Sequence, residues 1–341
     1  MKKIIKKYIY SFLITFCVLF LIVTGINFGS IKQAYTSFIG RIEYNLTNRG
    51  SSFIKLGNYP LLGDKKTGSL FDPCVLIEEE DSYIMFVSHR KTGAIAMTTS
   101  EDGISWQEIK DVLLPGDSES WEKIVNRCSV IKHNNTYYMW YTGQNNNQSH
   151  ISLAISSDLN SWVKYPNCMI SPEFDFEGES VMNPSVIYDQ EENLFKMWYA
   201  CGETYEPDYI CYAESRDGIN WIKNAQPVFY PSNSFVDSYK VGGPEVKLIE
   251  GEYYLFYIGY SDVDTGRICA AKSKDGKTDW IRSSLNPLIE SSPESFDSES
   301  CYKPAALWNI YSQEWQIWYN GRTNNSEYIG YAFYDEFDLK F

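Results

Sequence analysis

Histidine is scarce in this chain: three in 341 residues, at positions 89, 133 and 150. None stands in a pair at ligand spacing and no Cys-x-x-Cys occurs, so neither a zinc site nor any other metal or cofactor is expected. Positive charge is also short. Thirty Lys and Arg face 44 Asp and Glu, for a net charge of −14. Four of the lysines, at positions 2, 3, 6 and 7, lie in the N-terminal tail, and without them the remainder stands at −18. A nucleic acid is therefore excluded as a partner. Cysteine gives no disulfide framework. Eight are present, and setting aside Cys17 in an apolar segment leaves seven, an odd number. Most fall at strand positions, as small buried residues do; a pairing of Cys201 with Cys211, which flank one hairpin, stays open.

Charge is missing altogether from Tyr8 to Ile31. The run Tyr8 to Phe28 is 21 residues long, enough to span a bilayer as a helix. The lysines before it should stay cytoplasmic and send the C-terminus outward. A cleavable signal peptide is the rival reading, but no small-x-small site follows the apolar core. Ile14-Thr15-Phe16-Cys17 makes a poor lipoprotein box because bulky Phe16 precedes the cysteine. The expectation is an uncleaved transmembrane anchor over residues 1–28, a polar stalk over 29–51 and an extracytoplasmic domain over 52–341.

That domain repeats itself. Asn183-Pro184-Ser185-Val186 leads to Phe195-Lys196-Met197-Trp198-Tyr199, then Tyr209 to Ala213, then Asp217-Gly218-Ile219-Asn220-Trp221. Each run is short, rich in aromatic and β-branched residues and bounded by turn formers, which reads as a strand. The proline slot recurs at 73, 128, 184, 244 and 304, in steps of 55, 56, 60 and 60. The tryptophans at 106, 162, 221 and 280 step by 56, 59 and 59. Four strands per unit at a fixed period predict an all-β, five-bladed β-propeller. Its repeated aromatics are expected as inter-blade core. Blade five ends a strand short, so Phe53 to Leu62 is expected to close the ring as its outer strand.

In a propeller the first strand of each blade faces the central channel, so equivalent residues form rings. The first ring is Asp72, Arg127, Asn183, Gly243 and Lys303. Alternation places Cys74, Ser129, Ser185, Glu245 and Ala305 one layer along. Charge converging in one funnel is costly to bury, and pairing of Asp72 with Arg127 or Lys303 is the plain structural explanation. A second repeated element, Trp121-Glu122, Phe176-Glu177, Phe235 with Asp237 and Phe296-Asp297, precedes each proline slot. It is expected as a loop anchored by its aromatic with an exposed acid, or else as a pocket rim.

The fivefold repeat with Phe71-Asp72-Pro73, Met182-Asn183-Pro184, Gly242-Gly243-Pro244 and the Met-Trp-Tyr strands resembles the five-bladed propeller glycosidases. These are glycoside hydrolase families 43, 32 and 62, with the family 130 phosphorylases as cousins. The resemblance covers about residues 52–341 and implies a base at Asp72. The family's other two carboxylates fall on Asn183 and Gly242, and a channel calcium would meet Lys303 where the family has a histidine. Glycoside cleavage still needs two carboxyls, roughly 6.5–9.5 Å apart for inversion or 5–5.5 Å for retention. Glu245 is the nearest substitute acid by position, with Glu299, Glu177 and Glu122 as rim alternatives.

The reading is thus a membrane-anchored, exported propeller that acts on an oligosaccharide or polysaccharide. Asp72 serves as base, held at a low pKa by Arg127 and Lys303, and Glu245 as acid. Asn126, Arg127, Asn183, Lys303 and Glu299 orient the substrate. A propeller that binds glycan without cleaving it, a phosphorylase using Arg127 and Lys303 for phosphate, and a scaffold whose channel charges merely pair are the alternatives.

Overall fold

The computed structural model describes residues 51–205 and 207–341. The expected anchor and all but the end of the stalk lie outside the described residues, among which no helix is long and apolar enough to cross a membrane. The described chain opens on β1 (Ile54–Lys55) and then builds one antiparallel sheet after another. Blade one is β2 (Leu70–Glu79), β3 (Ser82–His89), β4 (Ala94–Ser100) and β5 (Lys110–Leu113). Blade two is β6 (Ile124–His133), β7 (Thr136–Asn145), β8 (Gln148–Ser156) and β9 (Val163–Lys164). Blade three is β10 (Ser180–Asp189), β11 (Leu194–Gly202), β12 (Pro207–Ser215) and β13 (Ile222–Lys223). Blade four is β14 (Lys240–Ile249), β15 (Glu252–Tyr260), β16 (Gly266–Ser273) and β17 (Ile281–Arg282). Blade five is β18 (Ser300–Asn309), β19 (Glu314–Thr323) and β20 (Ser326–Tyr334). The first strands pack side by side, and β18 returns against β2, which closes the ring.

Blade five takes its fourth strand from the start of the chain. β1 pairs with β20, Ile54 opposite Phe333 and Lys55 opposite Ala332, and Leu62 bridges to Ile329. The regular pairing is shorter than the stretch from Phe53 to Leu62, because Gly57 turns the chain away at φ 74°. The closure leaves β20 no open edge, the feature that invites aggregation.

Tryptophans on the second strands of blades two, three and five act as staples between blades. Asp102, Asp158, Asp217 and Asp275 each accept backbone N–H bonds from the residues two and three ahead, at 2.6–2.9 Å, the local turn chemistry of aspartate. That turn presents a carbonyl to a neighbouring blade. The Trp140 indole N–H donates to Gly218 O at 2.9 Å, Trp198 to Gly276 O at 2.7 Å, and Trp318, across the seam, to Gly103 O at 2.7 Å. All three indoles are fully buried, so each polar N–H needs this partner.

Of the acids expected as exposed, Glu177, Asp237 and Asp297 are buried and Glu122 is half-buried. Tyr141 donates to Glu122 at 2.6 Å, Tyr199 to Glu177 at 2.8 Å, Tyr257 to Asp237 at 2.8 Å and Tyr319 to Asp297 at 2.8 Å. Each acid also meets a cation from the outer strand of its own blade: Lys164, Lys223, Arg282 and Lys55, at 2.5–2.9 Å. Glu122 and Glu177 therefore tie an entry loop to a blade's outer edge, and neither lines the cavities at the two ends of the channel. The sequence pattern located the acids, but the cations lie 42 to 46 residues away, or 242 for Lys55, too far to be matched by inspection.

Candidate functional site

Each first strand carries the same irregularity at the same place. The pairing register slips between Phe71 and Cys74, Asn126 and Ser129, Met182 and Ser185, Gly242 and Glu245, and Tyr302 and Ala305. Inside each slip sits a residue with left-handed backbone: Asp72, Arg127, Asn183, Gly243 and Lys303, with φ from 43° to 54°. These are β-bulges, and a bulge re-aims a side chain. It also frees one strand position from the ladder, which is why proline is tolerated directly after four of the five. For a residue other than glycine the left-handed backbone costs roughly 1 kcal/mol. Only Gly243 escapes that cost, and its Cβ would meet Ile258 at 2.5 Å. Two of the bulges are held by hydroxyls from the preceding blade. The Arg127 amide donates to Ser88 Oγ at 3.0 Å and the Asn183 amide to Thr142 Oγ1 at 3.1 Å.

Three of the bulges, at Asp72, Arg127 and Asn183, open on a cavity of about 460 Å³ at one end of the ring, with lining residues from all five blades. Asp72, Asn126, Arg127 and Asn183 of the expected set line it, joined by Arg90, Asn320, Arg322 and Glu327, and by Tyr205 and Asp264 on loops. A larger groove of about 1100 Å³ lies at the opposite end, with apolar and charged side chains mixed in its walls. Several of its carboxylates are already paired, Asp189 and Glu192 with Lys196 and Glu78 with Lys132.

The smaller cavity differs in its unmet hydrogen bonds. Among the described residues, eight buried side-chain polar atoms have no hydrogen-bond partner, and five of them belong to residues lining this cavity. Four are acceptors, Asp72 Oδ2, Asn126 Oδ1, Asn183 Oδ1 and Asn320 Oδ1, and the fifth is Arg322 Nε. An unsatisfied buried polar group costs about 1–3 kcal/mol, so several converging acceptors mark a place for a ligand rich in hydroxyl donors.

Asp72 is 6 % exposed, and Arg127 Nε lies 3.5 Å from its Oδ2. Burial pushes the Asp72 carboxyl above its ordinary value, Arg127 opposes the shift, Glu327 adds to it, and Lys303 and Arg90 oppose it. This corrects the expectation of a low pKa: desolvation outweighs the cations. Arg127 is anchored by Nη1, which donates to Thr204 O at 3.1 Å. Glu327 accepts hydrogen bonds from Arg90 and, at 3.5 Å, from the Asn320 amide. Sequence reasoning missed Glu327, Asn320 and Arg90 because they sit on later strands or a turn, outside the first-strand ring.

The remaining expected residues lie elsewhere. Glu245 is absent from the cavity wall and lies with Cys74, Ser129 and Ser185 in a separate pocket of about 300 Å³ along the channel. Its Oε1 is 2.7 Å from Lys247 and its Oε2 4.0 Å from Lys303. The ring one layer along thus exists, but the bulge parts it from Asp72. Lys303, 1 % exposed, donates to Pro244 O at 3.1 Å beneath the cavity. A channel calcium, which the resemblance implies, does not fit beside that fixed ammonium. Glu299 stays on the outer rim, 3.4 Å from Arg322 Nε. Cys201 and Cys211 are joined, while Cys74, Cys128, Cys168, Cys269 and Cys301 are free.

Comparison with known proteins agrees with this architecture. The sequence profile described as glycosyl hydrolases family 43 matches residues 66–332. An uncharacterised protein of Mycobacterium tuberculosis is 28 % identical over 211 residues, covering 58 % of this chain and 67 % of its own length. A 1,2-beta-oligomannan phosphorylase of a Thermoanaerobacter species is 30 % identical over 173 residues, covering 46 % of this chain and 57 % of the relative. The crystal structure of a thermostable family-43 glycoside hydrolase superposes with a TM-score of 0.62 at 20 % identity, over 81 % of this chain and 91 % of that one. That likeness shows the fold.

Proposed function

Given that the chain belongs to glycosyl hydrolases family 43, we propose that it cleaves a glycan in the 460 Å³ cavity, with Asp72 as general base. The observation that carries this reading is the set of four buried acceptor oxygens on Asp72, Asn126, Asn183 and Asn320 that have no hydrogen-bond partner among the described residues. A sugar presents hydroxyl donors in several directions, and it would satisfy them together. Asp72 takes a proton from water, the water oxygen attacks the anomeric carbon, and the glycosidic C–O bond breaks. The leaving oxygen needs a proton from a second carboxyl. Glu327, which lines the same cavity, takes that role in place of Glu245. Arg127 positions Asp72, and Asn126 and Asn183 orient the sugar. A screen of oligosaccharides for released reducing ends tests the reading, with Asp72→Asn as control. Specific retention of one glycan without release by wild type would make the propeller a binding module instead.

A second reading is favoured by three guanidinium groups, Arg90, Arg127 and Arg322, in one cavity wall. They suit phosphate as the attacking group, and the relative named as a phosphorylase supports this. Release of sugar 1-phosphate only when inorganic phosphate is added would establish it.

The location belongs to the proposal as well. The uncharged run Tyr8 to Phe28 behind four lysines supports a single-pass anchor with the propeller outside the cytoplasm.

A further inference from the structure

The repeat supplies its own control for one side of the cavity mouth. Trp121, Phe176 and Phe296 stand directly before the acid of their entry loops, and each packs inward against buried side chains. In blade four Val236 takes that inward place, directly before Asp237. The aromatic stands one residue earlier, at Phe235, and is 70 % exposed. Core packing therefore does not account for Phe235. Tyr239, two residues past the acid, is 45 % exposed, where the other entry loops have Ile124, Glu179 and Glu299.

Both rings meet anchored cations. Lys240 Nζ is 5.3 Å from the centre of the Tyr239 ring, and Arg267 Cζ is 5.2 Å from that of Phe235. Glu203 holds Lys240 at 3.1 Å and Asp208 at 3.2 Å, while Ser261 holds Arg267 at 2.8 Å and Glu290 at 3.5 Å. A cation within about 6 Å is attracted to the face of a ring, so each ring is pinned on one side and leaves the other to solvent. The rings also adjoin the cavity. The Tyr239 amide donates to Tyr260 O at 2.9 Å, and Tyr260 lines the wall. Glu203 lies two residues before Tyr205, an exposed ring on that wall. Ser261 opens the loop that brings Asp264 to the same wall.

We propose that Tyr205, Tyr239 and Phe235 form a shelf between blades three and four that holds further sugars of a polysaccharide, one unit of which sits in the cavity. This rests on the reading of the cavity as a glycan site, and it makes the substrate a chain and not a disaccharide. The C–H groups of a sugar ring form an apolar, weakly positive face, and an aromatic ring offers a negative one. Rings fixed before the ligand arrives lose little freedom on binding. Sugars on the shelf keep their hydroxyls in water, whereas the unit in the cavity turns its hydroxyls to the acceptors of Asp72, Asn126, Asn183 and Asn320.

The test is affinity electrophoresis of the full chain in native gels cast with mannan, arabinan, xylan or dextran. The parent carries Asp72→Asn, so that the polymer is not consumed. At least one of the four polymers should retard the parent. Phe235→Ala and Tyr239→Ala should each raise the apparent Kd for that polymer roughly three- to tenfold. Phe235→Trp and Tyr239→Phe keep a ring and should bind as the parent does. Tyr311→Ala removes an exposed ring at the opposite end and should change nothing. A parent that none of the four polymers retards, or equal retardation with and without the two rings, overturns the proposal. So does unchanged retardation with a loss of self-association in the ring variants, which would make the patch a contact between copies of the chain. Retention needs no turnover, so the two readings fail separately. Ring-dependent retardation with no sugar released by wild type would sink cleavage and leave the shelf standing, and release with ring-independent retardation would do the reverse.

Discussion

Lys55 Nζ lies 2.6 Å from Asp297 Oδ2, with both side chains withdrawn from solvent and 242 residues of chain between them. The same ammonium donates to Ser292 Oγ at 2.9 Å. Asp297 also accepts from Tyr319 at 2.8 Å, so blade five has the same Tyr–acid–cation group as blades two, three and four. In those blades the cation comes from the outer strand of the blade itself. In blade five it comes from the first strand of the domain, and one ion pair thus joins the two ends of the propeller.

Removing one partner of a buried pair leaves the other uncompensated, at a cost of about 3–5 kcal/mol. Lys55→Met is expected to lower the urea unfolding free energy of the domain by that amount. A chain beginning at Ser51 should unfold like the full chain, whereas one beginning at Leu56 should aggregate. Equal solubility and stability of the two truncations would show that β1 does not close the ring.

Asp72 links stability to pH with a definite sign. Its folded pKa is raised, so its contribution is fully present below the unfolded value of about 3.9 and is lost as pH rises through the folded value. Asp72→Asn, permanently neutral, should therefore melt at a higher temperature than wild type at pH 7. The gap should close as pH falls toward about 4. A lower Tm at pH 7 would mean that Asp72 serves chiefly to neutralise Arg127. The acidic limb of kcat/KM should likewise lie above the ordinary aspartate range, and turnover in the variant should fall by about 10²-fold or more.

The acid role of Glu327 separates substrates by leaving group. Glu327→Gln should cut turnover of a natural glycan by roughly 10²-fold or more, yet spare aryl glycosides whose phenolate leaves without protonation. An equal loss on both kinds of substrate would point to a binding role. Glu245→Gln should show no such leaving-group dependence.

Topology is read with protease on intact spheroplasts. The propeller should be digested while cytoplasmic controls survive, and removal of residues 1–28 should release it from the membrane fraction. A protected propeller would place it on the cytoplasmic side.

The sequence by itself determined the architecture, because a propeller is a repeat and repetition is visible without contacts. The prolines at 73, 184, 244 and 304 and the tryptophans at 106, 162, 221 and 280 marked the blades. The short fifth repeat showed that a strand must come from elsewhere, and β1 supplies it. Asp72, Arg127 and Asn183 were legible as a group, since equivalent positions in a ring converge. Tertiary structure alone decided which neighbours they meet. The bulge at each first strand separates Asp72 from Glu245, although the two belong to rings only one layer apart. It sets Glu245 against Lys247 and Lys303, and Glu327 and Asn320 come into the cavity from strands of blade five. The pKa of Asp72 was equally beyond the sequence. Its sign depends on a contest between desolvation and nearby cations, and both terms are set by depth and distance, which residue spacing does not encode.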